Sequence, residues 1–165
     1  MRSHPWRFIV SVVTLSVVTF GFTSVAGADR PTRDPFPQDA LDFADLCSFP
    51  VHIDITVNKE HITTFASGNI AGQQLITGDL KVHVINTSTH HAVDLTVSGP
   101  IRLIPHEDGS LGVVSLGATL WPFTDAQPGL PRLAVVDGRL EALFDPTFRV
   151  TSVTGHVVDV CALLS

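Results

Sequence analysis

The chain is poor in the residue types that cysteine-ligated zinc sites, disulfide-rich scaffolds and nucleic-acid-binding surfaces require. Only two of its 165 residues are cysteine, too few for a framework of several disulfides or for an all-cysteine zinc site. Ten lysines and arginines stand against sixteen aspartates and glutamates, a formal charge of −6. This acidic balance disfavours nucleic acid as a partner, because binding to phosphates needs a clustered positive surface.

The motifs of the common catalytic sites are missing as well. The chain contains no H-E-x-x-H or C-x-x-C metal-binding pattern, no G-x-S-x-G nucleophile motif and no glycine-rich phosphate-binding loop. Hydrophobic residues, in contrast, make up 44% of the chain, enough for a packed core, and its length fits a single domain. We therefore expect a globular domain with no catalytic residue and no cofactor.

The N-terminus has the three-part pattern of a secretory signal peptide. Two arginines precede an uncharged apolar run of 15 residues, Phe8–Phe22, and Ala26-Gly27-Ala28 supplies the small residues of a cleavage site. A membrane-spanning helix needs about 20 apolar residues, so a permanent anchor is disfavoured. The pattern predicts a signal peptide over residues 1–28 and a secreted, extracellular protein with no stable membrane anchor. Cleavage leaves 8 basic against 16 acidic side chains, a formal charge of −8.

The two cysteines are placed to form one disulfide. Cys47 and Cys161 lie near the two ends of the region that follows the signal peptide, and an exported chain folds where disulfides persist. Their bond would close a loop of more than 100 residues, which a chain-entropy estimate values at about 4–5 kcal/mol. The alternative is a pair of buried free thiols. We expect the disulfide, which leaves no thiol for catalysis.

Residues 29–46 differ in composition from the rest of the exported region. Residues 29–38 hold three prolines and four charged side chains. They predict an extended leader, because proline lacks a backbone donor and disfavours helix in the residue before it. Residues 39–46 could form a short helix, although their apolar side chains do not gather on one face. We expect this leader to precede a single β domain over residues 47–165.

From residue 51 onward, apolar and polar side chains alternate with the period of two that is typical of half-buried strands. Leu80, Val82 and Val84, for example, are expected to face the core. Turn signals include the dipeptides Asp108-Gly109 and Asp137-Gly138. The pattern predicts about eight to ten short strands in an all-β, antiparallel β-barrel or β-sandwich. Both architectures bury alternate residues, so the sequence leaves the choice between them open.

Histidine is the one unusual polar residue type, with seven copies after residue 28. His52 and Asp54 are two apart and project from the same face of one strand, and His83 lies on the polar side of another. If the two strands are neighbours, these three side chains could form a metal site or a polar catalytic cluster. The alternative, which we favour, is that they are scattered surface residues.

Residues 111–121 are apolar on both faces, as expected of a strand buried on two sides. Together with the aromatic residues that follow, this strand could line a cavity for a small apolar ligand, as strands do in ligand-binding barrels. The alternative is an ordinary packed core. The candidate lining residues are Leu116, Leu120, Trp121 and Phe123.

A series of short motifs runs through residues 45–165. In chain order they are Cys47-Ser-Phe-Pro-Val51, Asn58, Ser98-Gly99-Pro100, Asp108-Gly109-Ser110, Gly138-Arg139, Phe144-Asp145 and Asp159-Val-Cys161-Ala. In this order and in its terminal cysteine pair, the chain resembles an uncharacterised group of small exported actinobacterial β-rich proteins. The resemblance implies export, one disulfide and a β domain, and it supplies no catalytic residues.

These observations support three functional hypotheses of different classes. The first is a secreted, non-catalytic binding or structural module. The second is a β-barrel that binds a small apolar ligand, which an enclosed cavity above about 300 Å³ would favour. The third is a hydrolase or isomerase on a barrel scaffold, which requires His52, Asp54 and His83 to converge in a cleft.

Overall fold

The computed structural model describes residues 30–165. The predicted signal peptide, residues 1–28, lies outside the described residues. Within the part of the chain that the structure describes, no helix is long and apolar enough to cross a membrane.

Residues 30–165 form eleven strands in two antiparallel sheets, which confirms the predicted all-β fold. The strands are β1 (Thr32–Pro35), β2 (Leu41–Phe43), β3 (Val51–Asn58), β4 (His61–Thr64), β5 (Gln74–Thr77), β6 (Leu80–Asn86), β7 (Ala92–Thr96), β8 (Ile101–Pro105), β9 (Leu111–Pro122), β10 (Leu133–Asp145) and β11 (Thr147–Asp159). One sheet has the order β1-β4-β5-β8-β9-β10-β11 and the other β2-β3-β6-β7. Neither sheet closes into a barrel over these residues, so the predicted alternatives resolve to two packed sheets.

The leader is extended as predicted, and it adds an edge strand to each sheet. Strand β1 pairs with β4, and β2 pairs with β3. The short helix considered for residues 39–46 is wrong, because this segment contains β2. Its apolar side chains do not form a helical stripe, and its backbone finds hydrogen-bonding partners along β3 instead. These two short strands raise the strand count above the predicted eight to ten.

The sheets are joined because the chain crosses between them four times, after β1, β3, β5 and β7. A first core cluster packs inward-facing residues of the four-stranded sheet, such as Ile53 and Val84, against Leu133 and Val135 of β10. A second core cluster lies on β8–β11 and includes Val136. The start of β10 is therefore buried on both faces.

Three long strands meet at a row of glycines. Gly138 lies inside β10 and is paired with Gly117 of β9 and with Gly155 of β11. A Cβ atom on Gly138 would lie 2.1 Å from the carbonyl oxygen of Thr154, so only glycine fits this close approach. The turn predicted at Asp137-Gly138 is wrong. Strand β10 continues through the dipeptide because it pairs with a neighbour on each side.

The C-terminal turn is fixed to the body of the protein. A short helix, α1 (Val160–Leu163), follows β11, and Asp159 caps it by accepting a hydrogen bond from the backbone N–H of Ala162 at 3.1 Å. Cys161 on this helix forms the predicted disulfide with Cys47, with the Cα atoms 5.6 Å apart. Leu164, the residue directly after this helix, is fully buried in the first core cluster.

Candidate ligand-binding cavity

An apolar cavity of about 370 Å³ lies where the two core clusters meet. One wall comes from the four-stranded sheet, where Ile53 and Ile55 of β3 and Val82 of β6 line the space. These residues point inward because side chains alternate along a strand. Asp54, between Ile53 and Ile55, and Lys81, directly before Val82, are exposed. The alternation that marks these strands in the sequence therefore also builds one side of the cavity.

The opposite wall comes from the seven-stranded sheet. Ile101, Leu103 and Val113 of β8 and β9 contribute aliphatic surface, and Leu103 and Val113 are paired across the two strands. Trp121 and Phe148 contribute aromatic surface, with ring centroids 5.6 Å apart. This wall contributes more of the lining residues than the first, and it offers both branched side chains and stacked rings.

The crossing segment, residues 36–40, runs from β1 at the edge of one sheet to β2 at the edge of the other. Phe36 and Gln38 of this segment line the cavity and are half-buried, and Leu41 directly after it lines the cavity and is 43% exposed. The cavity therefore opens to solvent beside the crossing segment.

Glu60 is a carboxyl side chain buried at this opening, with only 5% of its surface exposed. Its Oε2 atom accepts a hydrogen bond from Nε2 of Gln38. Its backbone carbonyl accepts from the N–H of Phe36 at 3.0 Å, and its backbone N–H donates to Oδ1 of Asn58 at 2.9 Å. Burial raises the pKa of Glu60 above its ordinary value of 4.5, and the hydrogen bond from Gln38 offsets only part of this rise.

A second polar position lies on the wall formed by β9. Thr119 lines the cavity and is 2% exposed. Its hydroxyl donates to Oγ of Ser115 at 3.2 Å and accepts from Nε1 of Trp121 at 2.8 Å. The hydroxyl is therefore oriented by its neighbours and does not depend on solvent.

The four apolar residues singled out from the sequence have different positions. Leu120 and Trp121 line the cavity. Phe123 is buried in the second core cluster, and its ring stacks on that of Trp121 at 6.4 Å. Leu116 is 44% exposed and lies outside the lining, because residues 115 and 116 point to opposite faces of β9 and Ser115 takes the buried one.

The predicted polar cluster lies on the outer face of the four-stranded sheet. Asp54 and His83 are opposite each other on paired strands, but each histidine has an aspartate partner on an edge strand. Nδ1 of His52 is 2.8 Å from Oδ1 of Asp42, and Nδ1 of His83 is 2.8 Å from Oδ1 of Asp94. These pairs face away from the cavity, and residues 30–165 contain no group of three potential ligands placed to hold a metal ion.

Glu60 and Gln38 were missed by sequence reasoning. Glu60 follows Asn58-Lys59 in a segment that reads as a solvent-exposed turn, and Gln38 lies in the proline-rich leader. Their meeting depends on the pairing of β1 with β4, which is a contact between distant parts of the chain. No local pattern marks either residue, because the sheet that each strand flanking Glu60 joins is decided by pairing between distant parts of the chain.

Comparisons with protein-family models, with curated proteins and with solved structures find no match for this chain. The resemblance to an exported actinobacterial group therefore remains a prediction. The functional proposal therefore rests on the geometry of the cavity.

Proposed function

We propose that this protein is an exported binding protein that holds a small apolar molecule in the cavity between its two sheets. The observation that carries the proposal is the apolar cavity itself: aliphatic and aromatic side chains from both sheets line a space of about 370 Å³, which is large enough for a small ligand. Its lining is apolar apart from a few oriented polar groups, the composition that small-molecule sites share. This favours the second of the three hypotheses, with the ligand between two sheets in place of a barrel interior.

The cavity volume limits the size of the ligand. An apolar cavity of about 150 Å³ binds benzene. At the same occupancy, 370 Å³ would hold about 15 non-hydrogen atoms. The ligand is therefore smaller than a sterol or a phospholipid, and comparable to a medium-length alkyl chain or an aromatic molecule of two or three rings.

Export is part of the same proposal. The predicted signal peptide and the Cys47–Cys161 disulfide both support an extracellular location, because disulfides persist in oxidising compartments. The resemblance to small exported actinobacterial proteins points the same way. The hydrolase or isomerase hypothesis gains no support, since His52, Asp54 and His83 do not converge in a cleft.

Titration of the protein with N-phenyl-1-naphthylamine, an uncharged apolar fluorophore, tests this function. We expect its fluorescence to rise on binding, and the Ile55→Trp variant to bind at least tenfold more weakly because the larger side chain fills the cavity. Thr56→Trp is the matched control, since Thr56 is the exposed neighbour on the same strand. Absence of binding to the natural protein, or equal binding by Ile55→Trp, would refute the proposal.

A further inference from the structure

The polar groups of the cavity lining have already used most of their hydrogen-bond donors. The indole N–H of Trp121 donates to Thr119, and the single O–H of Thr119 donates to Ser115. One of the two side-chain N–H groups of Gln38 donates to Glu60. Among the polar side chains that line the cavity, one N–H group of Gln38 is the remaining donor.

Acceptor capacity, in contrast, remains at both polar positions. A carboxylate offers about four lone-pair sites, and the hydrogen bond from Gln38 occupies one of those on Glu60. The amide oxygen of Gln38 and the second lone pair of the Thr119 hydroxyl are further acceptors. A ligand in this cavity is therefore matched best if it brings its own donor.

We infer that the ligand is an uncharged apolar alcohol whose hydroxyl donates a hydrogen bond to the Glu60–Gln38 pair at the opening of the cavity. This inference rests on the proposed function and names the class of ligand. The alkyl or ring portion lies between the sheets, and the hydroxyl lies beside the crossing segment, where Gln38 is half-buried. Glu60 and Gln38 are then the residues that determine specificity.

Charge argues against the common anionic alternative, a fatty acid. A carboxylate head group at the opening would lie against Glu60, and two like charges with little solvent between them repel strongly. Burial raises the pKa of Glu60, because this position already disfavours one negative charge. An alkylammonium ion would have to give up its hydration to pair with a buried carboxylate, which leaves little net gain.

A series of probes with one chain length tests the inference on the natural protein. 1-Decanol, its methyl ether and decanoate are each titrated at pH 7 against the protein with bound N-phenyl-1-naphthylamine. Their dissociation constants are obtained from the displacement of the fluorophore and compared. We expect 1-decanol to bind about tenfold more tightly than the ether, which lacks the donor, a ratio equivalent to about 1.4 kcal/mol. We expect decanoate to bind at least tenfold more weakly than 1-decanol.

The Glu60→Gln variant shows which residue sets these preferences. We expect decanoate to bind it at least fivefold more tightly than the natural protein, because the repelling charge is gone. Asp54→Asn removes the same charge from the outer face and should leave all three constants unchanged.

Equal affinities of the three compounds for the natural protein would overturn the inference, and this comparison needs no variant to fold. The proposed function would survive that result if the fluorophore still binds and Ile55→Trp still weakens it. Failure of the fluorophore and of all three compounds to bind would instead refute the proposed function.

Discussion

For Glu60, the local sequence predicts an exposed side chain, whereas long-range contacts bury it. Its place after Asn58-Lys59 predicts a solvated turn residue, whereas the structure buries it under Phe36 and Gln38. A buried carboxyl group costs folding energy when it is charged, because it loses hydration. Residues that lower stability in this way are often kept where a ligand is bound. Glu60 is therefore the residue whose removal should be most informative.

The raised pKa of Glu60 gives a definite pH dependence. Because the pKa is higher in the folded than in the unfolded state, the stabilising contribution is complete below pH 4.5 and is lost as the pH rises through the folded-state pKa. The non-titrating Glu60→Gln variant should therefore become more stable relative to the natural protein as the pH rises above 4.5. Urea denaturation of both proteins between about pH 4 and pH 8 measures the difference. A Glu60→Gln variant whose stability stays constant or falls relative to that of the natural protein as the pH rises would contradict this prediction, and the histidines cancel in the comparison.

Among the elements, the three long strands β9, β10 and β11 form the wall that carries most of the aromatic lining. The glycine row, Gly117, Gly138 and Gly155, pairs across these strands, and Gly138 and Gly155 leave no room for a Cβ atom between β10 and β11. A side chain on either of these two would push β10 and β11 apart, and β11 carries Phe148 of the cavity lining. The close approach of β10 and β11 is therefore a requirement of the cavity wall as well as of the sheet.

A pair of glycine substitutions tests this reading of the strands. Gly138→Ala should lower the free energy of unfolding by about 3 kcal/mol or more, because its Cβ atom would lie 2.1 Å from a carbonyl oxygen of β11. Gly109→Ala is the control, since Gly109 has a positive φ of 86° but nothing within 4 Å of the added atom. It should cost only about 1 kcal/mol, the price of the left-handed conformation alone. If urea denaturation gives the two variants equal losses in the free energy of unfolding, the close approach of β10 and β11 has no energetic role.

For the whole molecule, local patterns predict the strands and long-range pairing decides the site. Alternation correctly places Leu80, Val82 and Val84 in the core, and the cysteine pair forms the expected bond. The dipeptide Asp137-Gly138 has the local chemistry of a turn, yet pairing on both sides keeps it extended. The opening of the cavity also depends on long-range pairing and was not predictable from the sequence. It forms because the leader pairs with the edge of one sheet and then crosses to the edge of the other.

For the whole molecule, we propose that the space between the sheets is a binding site. An NMR titration of the disulfide-bonded protein, labelled at leucine and valine methyl groups, with N-phenyl-1-naphthylamine tests this directly. We expect large ring-current shifts at the cavity-lining residues Leu80, Val82 and Val113, with no change at the exposed Leu116 and Leu163. Shifts confined to the exposed methyl groups, or no shifts at saturating fluorophore, would contradict it.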